Sequence, residues 1–258
     1  ITEDEYMSTQ HEPDGEIMER LSQPAPRRDF LKWSGAGALG LLGLAACSDD
    51  TDIRSITEVV TKTDTLRIQP PPPPPPVTFP SVTLNFASDT GVLNYAYALE
   101  QLEAAFYTAV VGSSTFAATF SAQEQRVLTD LRDHEVIHRE FFRVALGNNA
   151  IPMLTFNLSA VNLQSRLSVL NAARDFEDLG VAAYNGAGRF LQSADLLTVA
   201  GKIVSVEARH ASAIRDLLQP RSGNFAPQAF DPALTPGQVL GVAAPFVRNQ
   251  IVLANMPA

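Results

Sequence analysis

A single cysteine, Cys47, leaves this 258-residue chain without an intramolecular disulfide or a CxxC metal knuckle. Lysine and arginine form no cluster, and the net charge is −9, so a nucleic-acid partner has no electrostatic footing. No apolar stretch reaches the roughly 18 residues of a membrane-spanning helix, which argues against one in the mature protein. Charged residues make up only 18% of the chain against 45% hydrophobic ones, enough apolar material for one good core within one or two domains.

The N-terminal part reads as an address followed by a tether. Arg27-Arg28-Asp29-Phe30-Leu31-Lys32 resembles the twin-arginine export motif. A weakly hydrophobic, glycine-rich stretch from Trp33 to Ala46 follows, too short to span and suited to a signal core. It ends in Leu44-Ala45-Ala46-Cys47, which resembles a lipobox whose cysteine is lipidated. A buried helix with a free thiol is the plainer reading, but it does not account for arginine pair, apolar stretch and cysteine in that order. The resemblance implies export by the twin-arginine route and a lipid anchor at Cys47 in the periplasm or cell envelope. Ser48 stands where an aspartate usually signals inner-membrane retention. Residues 1–26 are polar and patternless, expected to be disordered and removed; with Met18 as the start the signal has a conventional length. Beyond Cys47, a threonine-rich stretch leads to Pro70–Pro76. Such a run adopts polyproline II, a stiff spacer of roughly 20 Å at about 3.1 Å per residue.

From Ser88 the apolar residues recur with a period near 3.6, predicting four long helices. The first runs from about Asp89 to Val111 and stops at Gly112. A second starts at Ser121, which forms a capping box with Glu124, and ends at Leu146 before Gly147. The third is centred on Leu167–Tyr184 and extends toward Gln192 despite Gly186 and Gly188. The fourth is capped by Ser193 and ends at Gln219-Pro220. Four amphipathic rods of that length bury their stripes best as an all-α bundle. The expected organisation is a leader and signal over 1–47, a linker over 48–82, a four-helix bundle over 83–220 and a C-terminal extension over 221–258. In that extension Phe225, Phe230 and Phe246 suggest a segment packed back on the bundle, with a short helical pattern around Pro236–Ile251.

Four glutamates lie on the inward stripes. Glu100 is on the first helix, Glu135 shares a face with Leu128, Leu131 and Phe142, Glu177 with Ala173, Val181 and Tyr184, and Glu207 with Ile203, Ala211 and Ile214. An unpaired buried carboxylate costs several kcal/mol, so four in one bundle need cations or protons. His138 and His210 each follow a glutamate by three residues, Glu135 and Glu207, so each pair shares a helix face and can grip one ion. An internal repeat reinforces the pattern: Glu100-x-Leu102-x4-Tyr107 matches Glu177-x-Leu179-x4-Tyr184, and each precedes a Glu-x-x-His. Glu103 is the alternative to Glu100, which keeps the seven-residue spacing to tyrosine. Tyr107 and Tyr184 are either hydrogen-bonding neighbours of the site or core aromatics. His134, about 100° around its helix from Glu135, reads as a surface residue. A bundle in which Arg139, Arg174 or Arg209 merely partners the buried carboxylates is the bland alternative.

The order Glu, Glu-x-x-His, Glu, Glu-x-x-His resembles the ferritin-like di-iron and di-manganese superfamily. More narrowly it is similar to the exported ferritin-like domains that include desiccation-related proteins, through Glu177–Tyr184 and Glu207-Ala208-Arg209-His210-Ala211. The resemblance implies two Fe or Mn ions, bridged by Glu135 and Glu207, with Glu100 and Glu177 terminal and one histidine per ion. Four carboxylates against two divalent ions make that cavity electroneutral, and the oxygen-rich donor set suits Fe or Mn. The implied activity is redox chemistry on Fe(II), O2 or peroxide in oxidative or desiccation stress, as a ferroxidase, peroxidase or catalase-like enzyme. The alternative is a non-enzymatic stress-associated bundle in which metal is structural or absent. A homo-oligomer is left open, though a closed iron-storage shell fits poorly with a lipid anchor on a stiff stalk.

Overall fold

A computed structural model describes residues 78–256. The expected export signal, the lipobox-like run ending at Cys47 and the expected Pro70–Pro76 spacer lie outside the described residues. Within them run β1 (Val82–Asn85), α1 (Asp89–Val111), α2 (Phe116–Thr119), α3 (Ala122–Leu146), α4 (Arg166–Ala187), α5 (Ala194–Leu218), α6 (Pro236–Ala243) and β2 (Ile251–Ala254). The four long helices α1, α3, α4 and α5 form the expected all-α bundle. No helix among the described residues is long and apolar enough to cross a membrane.

Local chemistry sets the helix ends. The Ser121 hydroxyl accepts from the Glu124 amide while the Glu124 carboxylate accepts from the Ser121 amide, closing the capping box that starts α3. Ser193 caps α5 by accepting from the Leu196 amide. The first helix ties that same end together, because the Asp89 carboxylate accepts from the amides of Gln192 and Ser193 at 2.7 and 2.9 Å. The third helix stops earlier than expected. It ends at Ala187 and continues only as a 3₁₀ turn, Gly188–Phe190.

The helices pair as two hairpins, α1 with α3 and α4 with α5, and the hairpins meet mainly through α1–α4 and α3–α5. Arg166, at the start of α4, donates to Glu124 at the start of α3 (2.5 Å) and to the Leu217 carbonyl at the end of α5 (2.6 Å). Thus α3 and α4 run parallel, and residues 147–165 cross the length of the bundle to join them. That crossover covers the outer side of α1. The Ile151 amide donates to Asn94 at 2.7 Å and the Leu154 amide to Gln101 at 2.7 Å. In consequence α1 is buried almost all round, where a single apolar stripe was expected.

The extension packs back, but not through the phenylalanines as a set. Phe246 meets Phe176 edge-on with ring centroids 4.8 Å apart. Phe225 and Phe230 are 54% and 90% exposed, and Val239, Ala243 and Leu234 dock instead. Gly186 allows this, since a Cβ there would lie 1.8 Å from the Leu234 carbonyl oxygen. Helix α6 covers only Pro236–Ala243, and the chain then returns as β2, which pairs in parallel with β1, Val82 opposite Ile251. Alternation in Val82-Thr83-Leu84-Asn85 buries Val82 and Leu84 and leaves Thr83 and Asn85 outside.

Candidate metal centre

Glu100 on α1, Glu135 and His138 on α3, Glu177 on α4, and Glu207 and His210 on α5 converge at mid-bundle. The four carboxylates are fully buried. They form two groups, Glu100–Glu135–His138–Glu207 and Glu135–Glu177–Glu207–His210, each with ligand atoms within 4.8 Å of one another. Glu135 and Glu207 belong to both.

The oxygens divide systematically. His138 Nδ1 lies 2.9 Å from Glu207 Oε1, 3.4 Å from Glu100 Oε2 and 3.6 Å from Glu135 Oε2. His210 Nδ1 lies 2.8 Å from Glu135 Oε1, 3.3 Å from Glu207 Oε2 and 3.4 Å from Glu177 Oε2. Each shared glutamate therefore turns one oxygen to each histidine. Each outer glutamate turns Oε2 inward and gives Oε1 to a tyrosine of the other repeat. Tyr107 of α1 donates to Glu177 Oε1 at 2.5 Å, and Tyr184 of α4 donates to Glu100 Oε1. Of the two readings left open for these tyrosines, the hydrogen-bonding one describes their geometry.

The donor set allows metal binding. Glu100 Oε2, both Glu135 oxygens, Glu177 Oε2, Glu207 Oε1 and His138 Nδ1 are buried without a hydrogen-bond partner of proper geometry. Buried polar atoms are rarely left so, and these are oriented toward shared points. Arg139 and Arg174 do not answer for them, since Arg139 pairs with Glu140 at 2.9 Å and Arg174 with Asp175 at 2.6 Å.

In the metal-free cluster, burial and the neighbouring charges shift the titrating groups in different directions. Burial, then repulsion from Glu207, keeps Glu100 well above the carboxylate range. Burial lifts Glu177 to about 8, with Glu135 and Glu207 adding to it against His210. Burial acts upward on Glu135 too, but the imidazoles of His138 and His210 outweigh it and bring it to about 2. Burial lowers the histidines, yet the carboxylates around them prevail: His210 is pushed up to about 12 and His138 far above the imidazole range. Tyr107 and Tyr184 are raised by burial and by the glutamates they hold, so both remain O–H donors.

Two residues near the cluster carried a weaker sequence signal. Glu103 is buried but belongs to neither group; its carboxylate sits at Gly180, where a Cβ would come 2.9 Å from Glu103 Oε1. Burial, then repulsion from Glu135, holds it well above the carboxylate range. A glycine facing Glu103 across α1–α4 was the available clue. His134 is exposed as expected, yet its Nδ1 stands 2.9 Å from His210 Nε2, with the rings stacked at 16°. It is therefore the outer hydrogen-bond partner of His210.

No curated protein matches the chain in a sequence search. The family model of the ferritin-like domain matches residues 88–220, just over half the chain, and spans all four bundle helices. Fold, residue order and family match agree: the chain belongs to the ferritin-like domain family.

Proposed function

We propose that this protein holds two Fe or Mn ions between its four long helices and uses them in redox chemistry on Fe(II), O2 or peroxide. The observation that carries the reading is the division of the Glu135 and Glu207 oxygens between two histidine-centred groups. Glu135 and Glu207 would bridge the ions. Glu100 with His138 would complete one, and Glu177 with His210 the other. The ions would supply paired one-electron steps that carbon, nitrogen and oxygen side chains lack. The protein's own share is orientation. Tyr107 and Tyr184 fix the outer carboxylates by one oxygen each, and burial of the cluster keeps bulk water from the donors. Fe and Mn suit these hard oxygen donors with two imidazoles better than thiolate-seeking metals do.

The setting is the cell envelope. Twin-arginine export carries proteins already folded, which suits a metal-loaded bundle, and a lipid at Cys47 with the polyproline spacer would hold the bundle off a membrane. Protection against oxidative or desiccation stress is the role this placement favours.

The test counts metals by plasma mass spectrometry in protein expressed with Fe or Mn, beside a Glu135→Ala/His210→Ala variant. Near two ions per chain in wild type and their loss in the variant is the expected result, with Fe(II) oxidised or peroxide consumed faster than in buffer. A folded wild type that binds no metal ends the redox reading. Bound metal with no turnover, and a melting point that collapses on chelation, would make the metal a structural staple.

A further inference from the structure

Beyond the cluster, toward the N-terminus of α1, the bundle core contains a second chamber of different chemistry. It is lined by Leu93, Ala96 and Leu99 of α1, Phe142 of α3, Tyr184 of α4 and Ala200 of α5, among others. Its placement follows from helix geometry. Ala96 is one turn before Glu100, Phe142 one turn after His138, Tyr184 two turns after Glu177 and Ala200 two turns before Glu207. All four offsets point to the same end of the bundle, and at 1.5 Å per residue they put the chamber about 6–10 Å from the cluster along the axis. Tyr184 belongs to both, since its ring lines the chamber while its hydroxyl holds Glu100. Ile203, one turn before Glu207, is buried between them on α5.

The chamber is small and apolar. Its volume is about 20 Å³, where roughly 10–15 Å³ holds one water-sized molecule. Water requires two to four polar partners to stay in such a space. The Tyr184 hydroxyl is spent on Glu100, the Tyr95 hydroxyl is buried without a hydrogen-bond partner and offers a single polar group, and the remaining lining is aliphatic or aromatic, which falls short of what a water needs. A dry space of this size takes a small uncharged gas and excludes ions and organic substrates. At its rim, Val199, Ala200 and Leu191 are only half-buried, so the chamber reaches the surface at the turn between α4 and α5.

We propose that this chamber is a binding site for dioxygen, which enters past Val199 and Ala200 and is held beside Tyr184 on the Glu100–His138 side of the cluster. The proposal rests on the redox reading for its purpose, while the chamber's occupancy by a gas is separately measurable. Xenon, an apolar probe of similar size, is the test ligand. The full chain, with and without metal, is titrated under xenon pressure and followed by 129Xe and methyl NMR. Saturable binding that perturbs Leu93, Leu99 and Val199 is expected. Ala200→Leu, placed at the half-buried rim where the longer side chain has room, should abolish it. The same variant should keep its metal content and slow O2 consumption by Fe(II)-loaded protein several-fold. Leu93→Ala, which enlarges the chamber, should strengthen xenon binding without slowing that reaction.

Absence of xenon binding at these methyls in wild type overturns the site. A variant that loses xenon yet reacts with O2 at the wild-type rate overturns the route. A wild type that binds xenon but no metal defeats the redox reading above and supports the gas site alone.

Discussion

At the scale of single residues, the cluster depends on what stands behind each ligand. His210 turns Nδ1 toward three carboxylates, so its Nε2–H is the group free to donate, and His134 Nδ1 at 2.9 Å accepts it. Outer partners of this kind orient a ligating imidazole, and losing one typically costs about 10–100-fold in metal affinity. His134→Ala should therefore weaken the ion at Glu177 and His210 while sparing the one at Glu100 and His138. A metal titration of the variant would show one tight and one weakened step, and His134→Gln, which keeps an acceptor, would recover part of the loss. Two unchanged steps in His134→Ala would refute the role. The six cluster residues were legible because i,i+3 spacing and apolar neighbours fix a helix face. The partnership of His134 was not. Its direction away from the ligand face was read correctly, but nothing local reveals that α5 brings His210 to that flank, 76 positions later in the chain.

The elements show a similar division between local and distant causes. Ser121, Ser193 and Gly147 announced their helix ends because caps are written in adjacent residues. The pairing of β1 with β2 was invisible, since each strand is four residues long and its partner lies at the opposite end of the domain. The full burial of α1 was likewise missed, because it comes from the crossover and not from the helix's own period. Gly186 had been counted against α4, and the structure reverses its meaning. In a helix open to solvent, Gly→Ala would stabilise by roughly 0.5–1 kcal/mol. Here the new Cβ would meet the Leu234 carbonyl oxygen at 1.8 Å and break the 3.0 Å bond from the Leu234 amide to the Ala182 carbonyl. Gly186→Ala should therefore destabilise by about 1–3 kcal/mol, as overpacked sites do. Cleavage around Asp231–Leu234 in limited proteolysis should rise with it, as the extension loosens from α4. A higher melting temperature in the variant would show that the contact is not there.

For the molecule as a whole, the proposed metal and protons would compete for one set of lone pairs, and that competition would set how stability depends on pH. In the metal-free bundle burial raises Glu177 to about 8 and Glu100 well above the carboxylate range, while the surrounding carboxylates outweigh burial at the histidines, raising His210 to about 12 and His138 above the imidazole range. Between pH 4.5 and 8 the unfolded chain releases protons that the folded state retains, so unfolding stability falls as pH rises. The histidine contribution has the same sign, being complete below the unfolded value of 6.5 and lost as pH climbs toward 12. Glu135 opposes at the acid end, where its contribution is lost as pH falls from 4.5 through 2. The metal-free protein should therefore melt highest near pH 4.5–5 and progressively lower toward pH 8. Filling the site reverses the slope. Two divalent ions require Glu100 and Glu177 ionised and both imidazoles neutral, which expels about four protons, so metal affinity rises steeply with pH. Thermal melts of chelated and Fe- or Mn-loaded protein across that range should give curves that meet at the acid end and diverge toward pH 8, the loaded protein melting higher, with each 1 kcal/mol worth roughly 2–4 °C at this size. Parallel lines would mean that the added metal binds elsewhere and leaves the buried protons in place.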